Sequence, residues 1–219
     1  MMMSTGSLTF GLLADIHLEP AYSSNLTDYS WCLQRKGKEF NISTEEAHFG
    51  RYGCNPDEVL VEAMFEKMRS EYGGNLDVIL VLGDMVGHNY ADELDPEKPN
   101  PHADYDDLLE ILETLGFLLR DYFPESITLP VIGNNDCKYH YMPEFGHTKA
   151  AYYDMLFKQY FLDHPVNAHL SNLDEIERTL KEGGWYRVDL GDDLSVLVLN
   201  TLYYNSAYFF EEAMDEAAT

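Results

Sequence analysis

A layered α/β domain that begins as a parallel sheet is predicted by three observations. Short apolar runs alternate with segments of helical period in the order strand, helix, strand, helix, strand. Each of the first three strand-like runs ends in a polar, acidic stretch, as expected where an α/β sheet presents its carboxyl edge. Of the 219 residues, 45% are hydrophobic, which is enough to build a core.

The first strand is read over Leu8 to Ala14 and leads into Asp15-Ile16-His17. Residues 18–54 keep neither sustained period and are rich in Ser, Asn, Tyr and charge, so they read as a long functional excursion. Asn55-Pro56 then opens a helix, with Asn as N-cap and Pro at the first helical position. Val59, Leu60, Ala63, Met64 and Met68 recur at helical spacing to about Ser70, and Gly73-Gly74 ends the element. The second strand, Val78 to Leu82, runs into Gly83-Asp84, with His88 downstream.

Three prolines and several acids mark 89–103 as a loop. A long helix from Tyr105 to Tyr122 turns Leu108, Leu109, Ile111, Leu112, Leu115, Leu118 and Leu119 inward, and Phe123-Pro124 closes it. The third strand, Leu129 to Ile132, leads to Gly133-Asn134-Asn135-Asp136. A helix over Lys149 to Leu162 comes next. Asn172-Leu173-Asp174-Glu175 then resembles a capping box that opens a short helix stopping at Gly183-Gly184. Trp185 to Leu190 and Leu194 to Asn200, split by Gly191-Asp192-Asp193, read as a β-hairpin. Residues 1–219 form one domain on this reading, with an acidic tail over 201–219 and no internal repeat.

The chain carries 39 acidic against 14 basic residues, a formal charge of −25. That argues against a nucleic-acid backbone or an anionic membrane surface as partner, since both need clustered Lys and Arg. It does not argue against phosphate at a metal site. Bound cations dominate their own surroundings, and distant carboxylates are screened beyond roughly 10 Å at moderate salt. No apolar run approaches the ~20 residues that span a bilayer, and Met1 to Ser7 lacks the basic start of a secretory signal. Three cysteines are too few for a disulfide scaffold. Cys32 and Cys54 flank a polar, loop-like segment and are candidates to pair, which leaves Cys137 packed rather than reactive. Two sequons, at Asn25 and Asn41, fall in the same segment.

The three strand exits carry the chemistry. Asp15 and His17, two apart, point the same way if the backbone stays extended, so a carboxylate and an imidazole can share a metal. Asp84 is placed to bridge two cations as an anionic ligand, and Asn134 offers a neutral amide oxygen. Each motif alone is ordinary turn chemistry. Their joint occurrence, in order, at three strand exits defines a site for two divalent ions and phosphoester hydrolysis. His88, four residues past Asp84, is the candidate to contact phosphate or protonate the leaving group.

Asp15-x-His17, Gly83-Asp84 and Gly133-Asn134 resemble the ordered motifs of calcineurin-like metallophosphoesterases. His88, Tyr22 and Phe49-Gly50-Arg51-Tyr52-Gly53-Cys54-Asn55-Pro56 bring the resemblance closer to the acid sphingomyelinase-like branch. It runs from about Leu8 to Asn200. It implies a four-layer αββα sandwich of two sheets between helices, and phosphodiester hydrolysis by a metal-activated hydroxide. Asp15, His17, Asp84 and Asn134 are the implied metal ligands and His88 the implied phosphate or acid residue. Zinc is the implied metal, with manganese or iron as alternatives. Lipid head groups, nucleotides or polyphosphate are the implied small substrates. Cys32 and Cys54 are similar in spacing to a disulfide of that branch, which is secreted or lysosomal to vacuolar.

Two departures qualify the resemblance. Where the family has a catalytic His after Gly-Asn, this chain has Asn135, and an amide cannot act as imidazolium does. Gly-Asn-Asn-Asp with His140 downstream looks like endopolyphosphatases, with His140 taking part of the lost role. The family also supplies further His ligands after the hairpin, whereas no histidine lies beyond Asn200. The chain therefore reads as C-terminally truncated, with an inactive fragment or pseudoenzyme that keeps the fold as the alternative to an active enzyme.

Overall fold

The computed structural model describes residues 7–20, 22, 49–50, 54–72, 76–88, 90–93, 97–101 and 103–205. Strands β1 (Phe10–Leu13), β2 (Val78–Val81) and β3 (Ile127–Pro130) form a parallel sheet with β2 in the centre. Phe10 stands opposite Val78, and Val78 opposite Ile127, so all three strands end at one edge. Parallel pairing needs crossovers. These are helix α1 (Glu58–Tyr72) between β1 and β2, and helix α2 (Tyr105–Tyr122) between β2 and β3. The α/β class and the parallel start agree with the sequence prediction.

Helix α2 matches its expected bounds. Asp104 caps it by accepting the Asp107 N–H, Arg120 sits in the last turn against the dipole, and Leu108, Ile111, Leu112, Leu115, Leu118 and Leu119 are buried. Helix α1 departs from expectation at its start and on its buried face. Asp57, not Asn55, caps it, accepting the Leu60 N–H at 2.9 Å. Val61 and Phe65, rather than Val59 and Met64, are the buried residues. The reason is packing. Phe65 meets Tyr122 and Phe123 edge-on at ring distances of 5.8 and 5.5 Å, which turns the helix so that this stripe faces α2.

Helix α3 (Lys149–Phe157) continues through a π-helical turn, Lys158–Leu162, to the expected end. Helix α4 (Leu173–Gly183) stops at Gly184, whose φ of 78° is the left-handed geometry a C-terminal glycine supplies. The capping box is not formed. Asn172 sits at the N-cap, but its Nδ2 donates to the Arg187 carbonyl instead. Strands β4 (Tyr186–Asp189) and β5 (Ser195–Val198) make the expected antiparallel hairpin. It is tied to the main sheet by Tyr186, whose hydroxyl donates to the Pro130 carbonyl at 2.7 Å. Among the described residues the hairpin pairs with no further strand.

Cys54 is disulfide-bonded, and Cys137 is buried and free, its thiol pushed well up by burial. Cys32, both sequons and the tail beyond Asn205 lie outside the described residues. No described helix is long and apolar enough to cross a membrane.

One buried histidine makes stability depend on pH. His164 Nδ1 accepts the N–H groups of Val166 and Asn167, and burial, then the nearby Arg120, pushes its pKa down to about 4. A histidine depressed on folding adds stability that is whole above its unfolded value and lost as pH falls toward the folded one. The window is therefore 6.5 down to about 4. At about 1.4 kcal/mol per pH unit the loss across the whole window is about 3.5 kcal/mol. Buried Asp136, raised to about 7, works the other way over the same window, so the readout is a difference. Between pH 7 and pH 4.5, urea unfolding is expected to move His164→Asn, which keeps an acceptor but not the titration, toward greater stability relative to the wild type.

Candidate metal centre

The site forms where the three strands end. After β1 and β2 the two segments continue side by side. The Asp15 N–H donates to Gly83 O, the His17 N–H to Asp84 O at 2.9 Å, and the Leu18 N–H to Met85 O at 2.9 Å. This ladder holds Asp15, His17 and Asp84 at φ of 53°, 48° and 50°, left-handed values that non-glycine residues avoid. Such strain persists only where surrounding contacts over-determine it, and it concentrates at functional sites. The extended backbone expected for Asp15-x-His17 is therefore absent. The side chains converge because the chain kinks at both residues.

Asp15, His17 and Asp84 each present a ligand atom within 4.8 Å of the others. His17 Nε2 stands 3.9 Å from Asp15 Oδ1 and 3.8 Å from Asp84 Oδ2, while its Nδ1 lies 3.0 Å from the Val86 carbonyl. A carbonyl only accepts, so Nδ1 is the donor there, and in the neutral ring it is Nε2 that turns a lone pair to the carboxylates. That is the tautomer a metal-binding imidazole needs. The side chain of Asp15 is 72% exposed, whereas those of His17 and Asp84 are 14% and 15% exposed, so the cluster opens to solvent on one side. Two carboxylates and an oriented imidazole are a donor set that fits a divalent ion.

The third strand exit is pressed against the second. A Cβ on Gly133 would lie 2.1 Å from the Asp84 nitrogen and 2.2 Å from its Oδ1, so only glycine allows this approach. Asp136, fully buried, binds the two exits together. Its Oδ1 accepts the N–H groups of Met85 and Val86 at 2.8 and 3.0 Å, and its Oδ2 accepts that of Gly133 at 2.8 Å. Burial pushes this carboxyl up to about 7, the three N–H donors working against that rise. Asn134 and Asn135 sit in the turn between. The Asn135 backbone N–H donates to Asp84 Oδ1 at 3.1 Å, while its side chain makes no hydrogen bond among the described residues.

His88 and His140 both come to this edge. The His88 ring stacks on His17 at 4.1 Å, and its Nδ1 meets Asn55 Oδ1 at 2.9 Å. Burial, then the neighbouring His17, pushes His88 below the usual imidazole value. His140 Nε2 lies 3.1 Å from Asn134 Nδ2, and its Nδ1 lies 3.2 Å from Glu93 Oε1. Asn55, Glu93 and Asp136 are contributors whose roles at this edge the sequence does not announce. Asn55 has the local signature of a cap for α1, but its amide is drawn inward to His88. Nothing in the local pattern marks Glu93. Asp136 belongs to the third motif, and only the fold gives it its role.

Fold and site together define an α/β protein with a carboxylate and imidazole cluster at the carboxyl edge of a parallel sheet. The chain is a distant relative of sphingomyelin phosphodiesterase-like proteins. It is 24% identical over 211 residues to Sphingomyelin phosphodiesterase B of Dictyostelium discoideum, covering 94% of this chain and 30% of that protein. It is 22% identical over 200 residues to Cyclic GMP-AMP phosphodiesterase SMPDL3A of Homo sapiens, covering 89% of this chain and 39% of that protein. The chain thus spans well under half the length of these curated relatives. No protein-family model matches it.

Proposed function

We propose that this chain is the metal-holding part of a calcineurin-like metallophosphoesterase of the acid sphingomyelinase-like branch, and that the whole protein hydrolyses a phosphodiester. The observation that carries the reading is the convergence of Asp15, His17 and Asp84 on strained, over-determined backbone at one sheet edge. Both phosphodiesterase relatives support it. Asp15, His17, Asp84 and Asn134 would hold two divalent ions, zinc foremost and manganese or iron next, with Asp84 shared between them. When bound, such ions neutralise phosphoryl oxygens and acidify water.

The chain's own groups do the rest. Asn55 Oδ1 accepts the His88 Nδ1 proton, so His88 meets substrate through Nε2, against a phosphoryl oxygen or the leaving group. Asn135 stands where a second imidazole is expected and can hydrogen-bond phosphate without donating a full proton. The four-layer sandwich belongs to this reading as well. An apolar groove of about 450 Å³, lined by Leu12, Ile16, Leu60 and Met64, opens beside Asp15. It favours a phosphodiester with an apolar substituent over polyphosphate, the substrate of the endopolyphosphatase-like alternative.

The test is turnover of bis(p-nitrophenyl) phosphate and of polyphosphate by metal-loaded chain, with and without chelator. Chelator-sensitive cleavage of the diester is expected. A chain that binds metal yet turns over neither compound is the inactive fragment or pseudoenzyme, and that result sinks the active reading for this chain.

A further inference from the structure

The contacts around His140 point to a role other than proton donation. We infer that Glu93 and His140 form a positioning relay that turns the Asn134 amide so that its Oδ1, and not its Nδ2, faces the metal site. This rests on the reading of Asn134 as a ligand.

Donor and acceptor chemistry fixes each orientation in turn. An amide nitrogen only donates, so the 3.1 Å contact between Asn134 Nδ2 and His140 Nε2 requires Nε2 to accept. The His140 proton must then sit on Nδ1, where Glu93 Oε1 accepts it at 3.2 Å. A carboxylate behind an imidazole fixes its tautomer and ring orientation. With Nδ2 committed, Oδ1 is the amide atom of Asn134 left without a partner among the described residues. If His140 carried a proton on Nε2, the two N–H groups would oppose each other, and the amide would have to turn its nitrogen toward the cations. Proton donation from Nε2 and ligation by Asn134 therefore exclude each other in this geometry.

The relay is built into the backbone. Asp92 and Tyr139 form a parallel bridge, with the Asp92 N–H donating to Lys138 O and the His140 N–H to Asp92 O, both at 2.8 Å. That bridge carries Glu93, from the loop after β2, to the loop after β3. Asp92 Oδ1 accepts the N–H groups of Glu93 and Asn100. The Tyr141 ring lies 4.1 Å from the His140 ring, and the Tyr141 N–H closes the turn onto Asn134 O at 3.1 Å. Tyr141 is held at a φ of 63° to do so.

The experiment is zinc titration of the 219-residue chain against a chromophoric chelator, for wild type, Asn134→Ala, His140→Leu, His140→Gln and Glu93→Ala. Outer partners of a metal ligand typically change affinity by about 10–100-fold. His140→Leu is expected to weaken the second zinc equivalent by at least about 10-fold. Glu93→Ala is expected to weaken it less, and His140→Gln, whose amide oxygen can accept from Asn134, to stay near wild type. In zinc-loaded wild type, long-range proton–nitrogen NMR correlation should show the neutral Nδ1–H tautomer of His140, a readout that does not need the variants to fold. An Nε2–H or doubly protonated ring overturns the inference. So does His140→Leu binding like wild type when Asn134→Ala does not. If Asn134→Ala also binds like wild type, or wild type takes up no second ion, the ligand reading itself fails and the relay with it.

Discussion

Asp84→Asn is expected to keep the fold and lose the metal site. Asparagine retains an Oδ1 that can accept the Asn135 N–H, the contact that now measures 3.1 Å, and it tolerates the left-handed backbone at this position. It lacks the anionic oxygen that stands 3.8 Å from His17 Nε2, on the middle motif of the three. Removing a ligand should exceed the effect of removing its supports, so metal affinity is expected to fall by at least about 100-fold. Chelator-sensitive diester cleavage should fall with it. Metal titration beside thermal melting separates the two effects. A melting curve near wild type with lost binding fits a ligand role, whereas lost folding would make Asp84 a structural residue first.

Asp136→Ala is expected to act in the opposite way, through the fold. It leaves the N–H groups of Met85, Val86 and Gly133 facing a vacated carboxylate position in the interior. Each unsatisfied buried donor costs about 1–3 kcal/mol, so for three donors the loss is about 3–9 kcal/mol. Against a usual total of about 5–15 kcal/mol, that is enough to unfold much of the population. Asp136→Asn should be milder. Its Oδ1 keeps the two shared N–H groups and only the Gly133 contact turns repulsive. Urea unfolding should rank wild type above Asp136→Asn above Asp136→Ala, and an alanine variant within about 1 kcal/mol of wild type would contradict the tie between the two strand exits.

The places where local pattern misleads share a physical cause. Helix α2 is legible because its leucines repeat on one face and its neighbours do not compete. In α1, the run of Val59, Leu60, Ala63 and Met64 outnumbers Val61 and Phe65, yet the latter pair is buried because α2 offers its aromatic end to Phe65. Asn55 and Asn172 are good caps by local rule. Both spend their amides on distant groups, His88 in one case and the Arg187 carbonyl in the other, because a long-range partner outweighs a local one. The candidate site shows the same division. Strand exits announce Asp15, His17, Asp84 and Asn134, since apolar runs are visible and the residues just past them must sit at the sheet edge. The residues that aim those groups do not announce themselves. Glu93 is one acid in an acidic loop until the bridge between Asp92 and Tyr139 brings it to His140. The kinks at Asp15 and His17 are likewise products of the ladder with Gly83 and Asp84, which no local pattern encodes.

The most direct test of the central claim, that this sheet edge is built to hold divalent cations, is the metal content of the purified chain by elemental analysis after zinc loading and desalting. About two equivalents per chain, falling below one in Asp84→Asn, is the predicted result. Uptake well below one equivalent in the wild type, or uptake unchanged by Asp84→Asn, would contradict it.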